Sequence, residues 1–156
     1  MYNSFNLDKE LTKVDPVAAL TSGIITKEDI GKTVYLSNSV CTCQEWRIAG
    51  INHDGTEDTV DLWPKYALNS NGSNGDILFG GYGYCGSNIR ALLNCTIYNG
   101  FSTQIRNAMQ VQSFSDSLLI TDKVKIPSLM EVGLSGISTT VVSGTPYELL
   151  DRKSVV

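Results

Sequence analysis

A mixed α+β domain is what this sequence predicts, and three observations predict it. Two β-rich runs, Glu45 to Asn52 and Asp58 to Trp63, flank an Asp54–Gly55 pair and read as a hairpin. Several short segments carry helix start and stop signals, too brief for a helical bundle. A long loop rich in Gly and Asn, residues 69–88, separates the two kinds of element.

The chain has 156 residues, the size of one ordinary domain. At that length folding removes roughly 70% of the unfolded chain's surface from water, so a core needs no disulfide or metal to hold it. The 42% hydrophobic and 18% charged fractions are those of a globular protein with a lightly charged surface. A net charge of -4 without any run of Lys or Arg argues against nucleic-acid binding, which needs clustered cations against phosphates. No stretch approaches the ~20 apolar residues of a membrane span, and the polar start Met1–Phe5 is unlike a signal peptide. Synthesis in a cytoplasm, without membrane insertion, is the expectation. Cys41, Cys43, Cys85 and Cys95 lack zinc-knuckle spacing. They are expected mainly as free, buried thiols, with a bridge from Cys85 to Cys41 or Cys43 as the alternative.

Taken in order, residues 1–23 read as an N-terminal arm with a short helix or two, built on Leu7, Leu11, Val14 and Val17 to Leu20. Residues 24–156 read as the single domain. Thr26 to Gly31 has an N-cap, two acids in its first turn and a glycine stop, which makes one helical turn. Thr33 to Ser37 reads as a strand. In the hairpin, alternation places Trp46, Ile48 and Gly50 on one face and Val60 and Leu62 together on the partner strand. Ser87 caps a helix from Asn88 to Asn94, with Ile89, Leu92 and Leu93 on one side. Ser102 caps a second helix from Thr103 to about Met109. Leu118 to Ile126 reads as a strand with a bulge near Thr121–Asp122, and Pro127 to Glu131 as a helix start.

No set of residues makes a convincing catalytic or metal site. His53, the only histidine, sits beside Asp54 in the hairpin turn without a nucleophile motif for it to serve. Asp54, Glu57, Asp58 and Asp61 lack the alternating spacing and terminal Glu of a calcium loop. Gly80 to Gly86 has neither phosphate-binding glycine frame, so no cofactor is expected. Ligand binding, if it occurs, is expected at Tyr82, Tyr84, Asn88 and Arg90. The two tyrosines lie in the glycine-rich loop and could join Trp63, Tyr66 and Tyr98 in a sugar-stacking patch or simply pack inward. Asn88 and Arg90 open the helix that follows. An arginine in a first helical turn opposes the helix dipole, so it needs a specific partner: a salt bridge, a carbonyl clamp or a ligand.

Read in sequence, these elements carry a recurring pattern. It runs through Gly31-Lys32-x-Val34, Trp46-Arg47-Ile48 to Gly55, Ser87-x-Ile89-Arg90-x-x-Leu93-Asn94 and Ile97-Tyr98-Asn99-Gly100-Phe101-Ser102, and ends at Thr121-Asp122-Lys123-Val124-x-Ile126-Pro127-Ser128-x-x-Glu131. The pattern resembles an uncharacterised domain of Gram-positive gut bacteria and their phages, and it is similar to C-type-lectin-like folds. The resemblance spans residues 31 to about 150. It implies a C-type-lectin-like α+β domain in a phage virion component: tail, baseplate or head decoration, with adhesion as one form of that role. The implied partners are other virion proteins, copies of the chain itself and a host-surface glycan. A carbohydrate- or receptor-binding module of a bacterial surface protein is the alternative. The resemblance implies that family members continue past the stretch matching Gly144-Thr145-Pro146-Tyr147-Glu148-Leu149 into further strands. It also implies that in the lectin-like group of formylglycine-generating enzymes the reactive cysteines lie in that further part, so no oxidase activity is expected.

Overall fold

The computed structural model describes residues 16–21, 23–41, 43–53, 57–66, 83–116, 118–127 and 132. Its first element is helix α1, Pro16–Thr21, opened by the proline in the position that needs no N–H donor. Val17, Ala19 and Leu20 of α1 pack against the core. The single helical turn Lys27–Asp29 follows, opened by a capping box between Thr26 and Asp29 and ended by Gly31 at φ 88°. Burial pushes the Asp29 carboxyl upward. Hydrogen bonds from Lys32 Nζ at 2.7 Å and from the Thr26 backbone at 2.9 Å outweigh that and hold its pKa below the ordinary value.

Strands β1 (Thr33–Tyr35), β2 (Glu45–Ile51) and β3 (Val60–Pro64) form an antiparallel sheet in that order. The hairpin expected from the sequence is β2–β3; its Asp54–Gly55 turn lies outside the described residues. Simple alternation along β2 fails at one place. The register steps from Ile48 opposite Leu62 to Gly50 opposite Asp61, so Ala49 is an extra, bulged residue. Trp46 and Ile48 share the core face as expected, while the bulge turns Ala49 inward as well.

Helix α2 (Asn88–Ala91) runs without a break into a π-helical stretch, Leu92–Ile97, and ends as α3, Tyr98–Gly100. The sequence reading ended this helix at Asn94; it extends to Gly100. Glycine is required there, because any side chain at 100 would run into those of Asn38 and Val40. Asn38 fixes the crossing. Its Nδ2 donates to the Ile97 carbonyl at 2.8 Å, and its Oδ1 accepts from the backbone of Val40 and Cys41. Helix α4 (Thr103–Ala108) follows, with Ser102 Oγ accepting from Ile105 N as its cap.

A second antiparallel pair, β4 (Gln112–Asp116) and β5 (Leu118–Asp122), completes the described elements. β4 has no counterpart in the sequence reading, since Gln-Ser-Phe-Ser-Asp presents a single apolar residue. β5 stops at Asp122 rather than reaching Ile126, because side chains and not a neighbouring strand satisfy the backbone of Val124. The Pro127–Glu131 helix start falls mostly outside the described residues. The core joins Val34, Trp46 and Ile48 of the sheet to Leu93, Ile97, Phe101 and Ile105 of the helical segment. The architecture is therefore mixed α+β, a three-stranded antiparallel sheet packed against short helices. All four cysteines are free thiols, with Cys41 and Cys43 buried.

Candidate functional site

Three groups of side chains could carry function. The first contains the expected ligand residues. Ser87 Oγ accepts from Arg90 N at 3.2 Å and so opens α2. Arg90 and Asn94 follow at intervals of three and four, which stacks them on one helical face. Arg90 meets Asp122 through two parallel bonds, Nε to Oδ2 at 2.9 Å and Nη2 to Oδ1 at 3.0 Å, and clamps the Cys85 carbonyl at 3.0 Å. Asp122 is buried, and Arg90 is held protonated chiefly by its hydrogen bonds to that carboxylate. Asn94 both donates to the Val124 carbonyl at 2.8 Å and accepts from its N–H at 3.3 Å, copying the pairing of a missing strand.

Tyr84 adds its hydroxyl to the Val124 carbonyl at 3.5 Å. Burial first, and the Asp122 charge second, push its phenol up to about 12. The two sequence motifs Ser-x-Ile-Arg-x-x-Leu-Asn and Thr-Asp-Lys-Val are thus partners: the helix face of the first grips the strand end of the second. Tyr84 and Arg90 are brought together here, Asn88 is exposed at the start of the helix, and Tyr82 lies outside the described residues. The partner that an arginine in this position needs is a salt bridge and a carbonyl clamp together. An alkaline titration followed at the phenolate band is a direct check. One of the seven tyrosines should ionise near pH 12, and Tyr84→Phe should remove that step. Since the folded pKa is raised, the stability that Tyr84 contributes is present below the ordinary value and lost as pH rises through about 12.

The second group lies at the far end of the sheet. Tyr35 on β1 stands opposite Glu45 on β2, and Lys65 just after β3 reaches Glu45 at 3.1 Å. Tyr66 places its ring 5.3 Å from the Lys65 ammonium. The hydrogen bond from Lys65, with further ones from Tyr35 and Tyr66, keeps the Glu45 carboxyl below its ordinary range. Tyr35 is 45% and Tyr66 58% exposed, so two aromatic rings face outward around one ion pair.

The third is a cleft of about 510 Å³ between Asp58–Trp63 on one wall and Met109–Gln112 with Lys123–Lys125 on the other. Leu36, Trp46 and Phe101 contribute to its lining. Gln112 Nε2 donates to Asp61 Oδ1 at 3.1 Å and ties the two walls together. Lys123 Nζ donates to the Arg106 carbonyl at 3.0 Å, capping the last turn of α4, and lies 5.5 Å from the Tyr98 ring centre. His53 is buried at the end of β2 and takes no part in the cleft. The sequence reading named Trp63 only as one member of an aromatic patch and missed the cleft, whose second wall comes from Met109 to Gln112 and from the residues that follow β5.

Among the described residues no helix is long and apolar enough to cross a membrane. The fold and these surfaces define the chain as a mixed α+β domain. It matches no family model, no curated protein and no solved structure.

Proposed function

We propose that this chain is a structural component of a bacteriophage virion, of the tail, baseplate or head decoration, working by protein contact and not by catalysis. On this reading its α+β scaffold is C-type-lectin-like, its partners are copies of itself and other virion proteins, and adhesion to a host-surface glycan is one form of its role. The observation that carries the contact part is the outward pair Tyr35 and Tyr66 around the Glu45–Lys65 ion pair. Tyrosine gives large, stiff contact area with a polar tip, and protein interfaces are enriched in it for that reason. The virion assignment itself is supported by the ordered motif resemblance described above. Arg90 and Asp122, which form the strongest charged constellation described, are engaged with each other, as a scaffold requires.

The test is direct. Particles purified on a density gradient from a culture producing this chain should carry it in fixed stoichiometry with the other particle proteins. Antibody raised against the purified chain should label one defined part of the particle in electron micrographs. Recovery of the chain only in the soluble fraction, with unlabelled particles, would contradict the reading.

A further inference from the structure

We infer that copies of this chain associate head to tail, the acidic end of the β2–β3 hairpin of one copy docking on the outer sheet face of the next. The inference rests on the contact reading proposed above for Tyr35 and Tyr66. It adds the partner, its orientation and the charges that match the two surfaces.

Strand alternation builds the receiving face. Trp46 and Ile48 of β2 are turned into the core, so Glu45 and Arg47 lie on the opposite, outer face. Register places Thr33 and Trp63 on either side of Arg47, and Tyr35 beside Glu45. Glu45 is matched by Lys65 at 3.1 Å, which leaves Arg47 as the surplus charge on this part of the face. Arg47 is exposed, and among the described residues its guanidinium has no hydrogen bond or ion pair. Asp61, further along the same face, bonds Gln112 instead. Arginine and tyrosine are the residues in which interface contacts concentrate their strength, and the exposed rings of Tyr35 and Tyr66 can shield a charge contact from water.

The other end of the hairpin carries the complement. Asn52 N donates to the Thr59 carbonyl at 2.9 Å just beyond the last strand pair, Ile51 with Val60, and Glu57 and Asp58 precede that bond. Both are exposed, and among the described residues neither carboxylate has a hydrogen bond or ion pair. From Arg47 to the end of β2 is about 13 Å of strand, against a screening length of about 8 Å at physiological ionic strength. The cation and the acidic end therefore do not neutralise each other within one chain. Two copies meeting face to face about a two-fold axis would bring one positive surplus against another. Hairpin end against sheet face pairs opposite charges instead, and such a heterologous contact, repeated, closes a ring or extends a filament.

The experiment is charge swapping in the full chain, read by sedimentation velocity at micromolar concentration. Arg47→Glu reverses the receiving charge. Glu57→Lys/Asp58→Asn reverses the docking end, with asparagine chosen because it tolerates the left-handed backbone of residue 58, φ 59°. Each variant alone should self-associate roughly 30-fold or more weakly than wild type, with an unchanged thermal midpoint because all three side chains are exposed. Arg47→Gln, which adds no new charge to the sheet, should show the same loss in smaller degree. Mixed in equal amounts, the two reversed variants should associate again, because each offers the charge that the other needs. An assembly that either reversal leaves at wild-type strength overturns the inference while the contact reading stands, since Tyr35→Ser/Tyr66→Ser tests that reading alone. Variants that each dissociate yet do not recombine show a contact of another geometry and overturn the inference too. A wild-type chain that stays monomeric overturns both.

Discussion

Replacing Trp46 by alanine is expected to destabilise the protein by about 3–5 kcal/mol, the range for deleting a large buried aromatic. Trp46 is 6% exposed and stands at the junction of every packed layer. It pairs with Val34 on β1 and Pro64 on β3, and its ring lies 5.5 Å from that of Phe101 at an interplanar angle of 52°. That tilted geometry adds about 0.5–1.5 kcal/mol to the area buried. Phe101 is tied by a bridge to Asn38 in the β1–β2 connection, and the Trp46–Phe101 contact joins sheet to helical segment, so the cavity would open between sheet and helices, where neither layer can collapse alone. Urea unfolding measures the loss. Trp46→Phe, which keeps most of the apolar volume, should lose less than half as much. A Trp46→Ala protein within 1 kcal/mol of wild type, a small fraction of the cavity cost above, would show that the sheet and helices do not share this core.

The second large effect is expected at Arg90. Arg90→Ala leaves the Asp122 carboxylate buried without its two parallel bonds, and breaking a pair of this kind by removing one partner costs about 3–5 kcal/mol when both members are buried. The Arg90 side chain is 30% exposed, which admits water and lowers the expected loss to about 2–4 kcal/mol. Arg90→Lys should recover only part of it, since an ammonium cannot make the bidentate contact or clamp the Cys85 carbonyl at the same time. The double variant Arg90→Ala/Asp122→Asn should be more stable than Arg90→Ala alone, because it removes the stranded charge. Equal stability of the single and double variants would mean that the pair contributes nothing beyond position.

What was legible in the sequence followed the range of the forces involved. Local signals held. The Thr26 and Ser87 caps, the Ser102 cap and the β2–β3 hairpin each depend on residues a few positions apart, and each stands where those residues place it. The bulge at Ala49 was not visible, because a two-residue period carries no mark of an inserted residue. The helix from Asn88 overran its expected end. Asn94, where the sequence reading ended the helix, is used sideways on Val124, and the helix continues through a π-helical stretch whose Ile97 carbonyl is held by Asn38 from 59 residues away in the chain. β5 was overextended for the matching reason: the backbone beyond Asp122 is paired by side chains, and sequence alternation cannot report that.

The candidate sites divide in the same way. Arg90 stood out in the sequence because an unassigned cation in a first helical turn demands a partner. That partner, Asp122, lay 32 residues away and could not be named. The Tyr35–Glu45–Lys65–Tyr66 group brings together three separate stretches through sheet register alone. Its members drew no joint attention in the sequence for that reason. The cleft takes its second wall from Met109 to Gln112 and from Lys123 to Lys125, stretches far apart in the chain from Asp61, so only the fold brings Gln112 to Asp61.

The claim that this chain works by outward protein contact rests most heavily on the Tyr35–Tyr66 surface, and sedimentation velocity at micromolar concentration tests it most directly. Wild-type chain should sediment as a discrete assembly larger than a 17.0 kDa monomer. The Tyr35→Ser/Tyr66→Ser variant should sediment as the monomer with an unchanged thermal midpoint, because both rings are outside the core. A wild-type chain that stays monomeric across the concentration range, or an assembly that the double substitution leaves intact, would contradict the account.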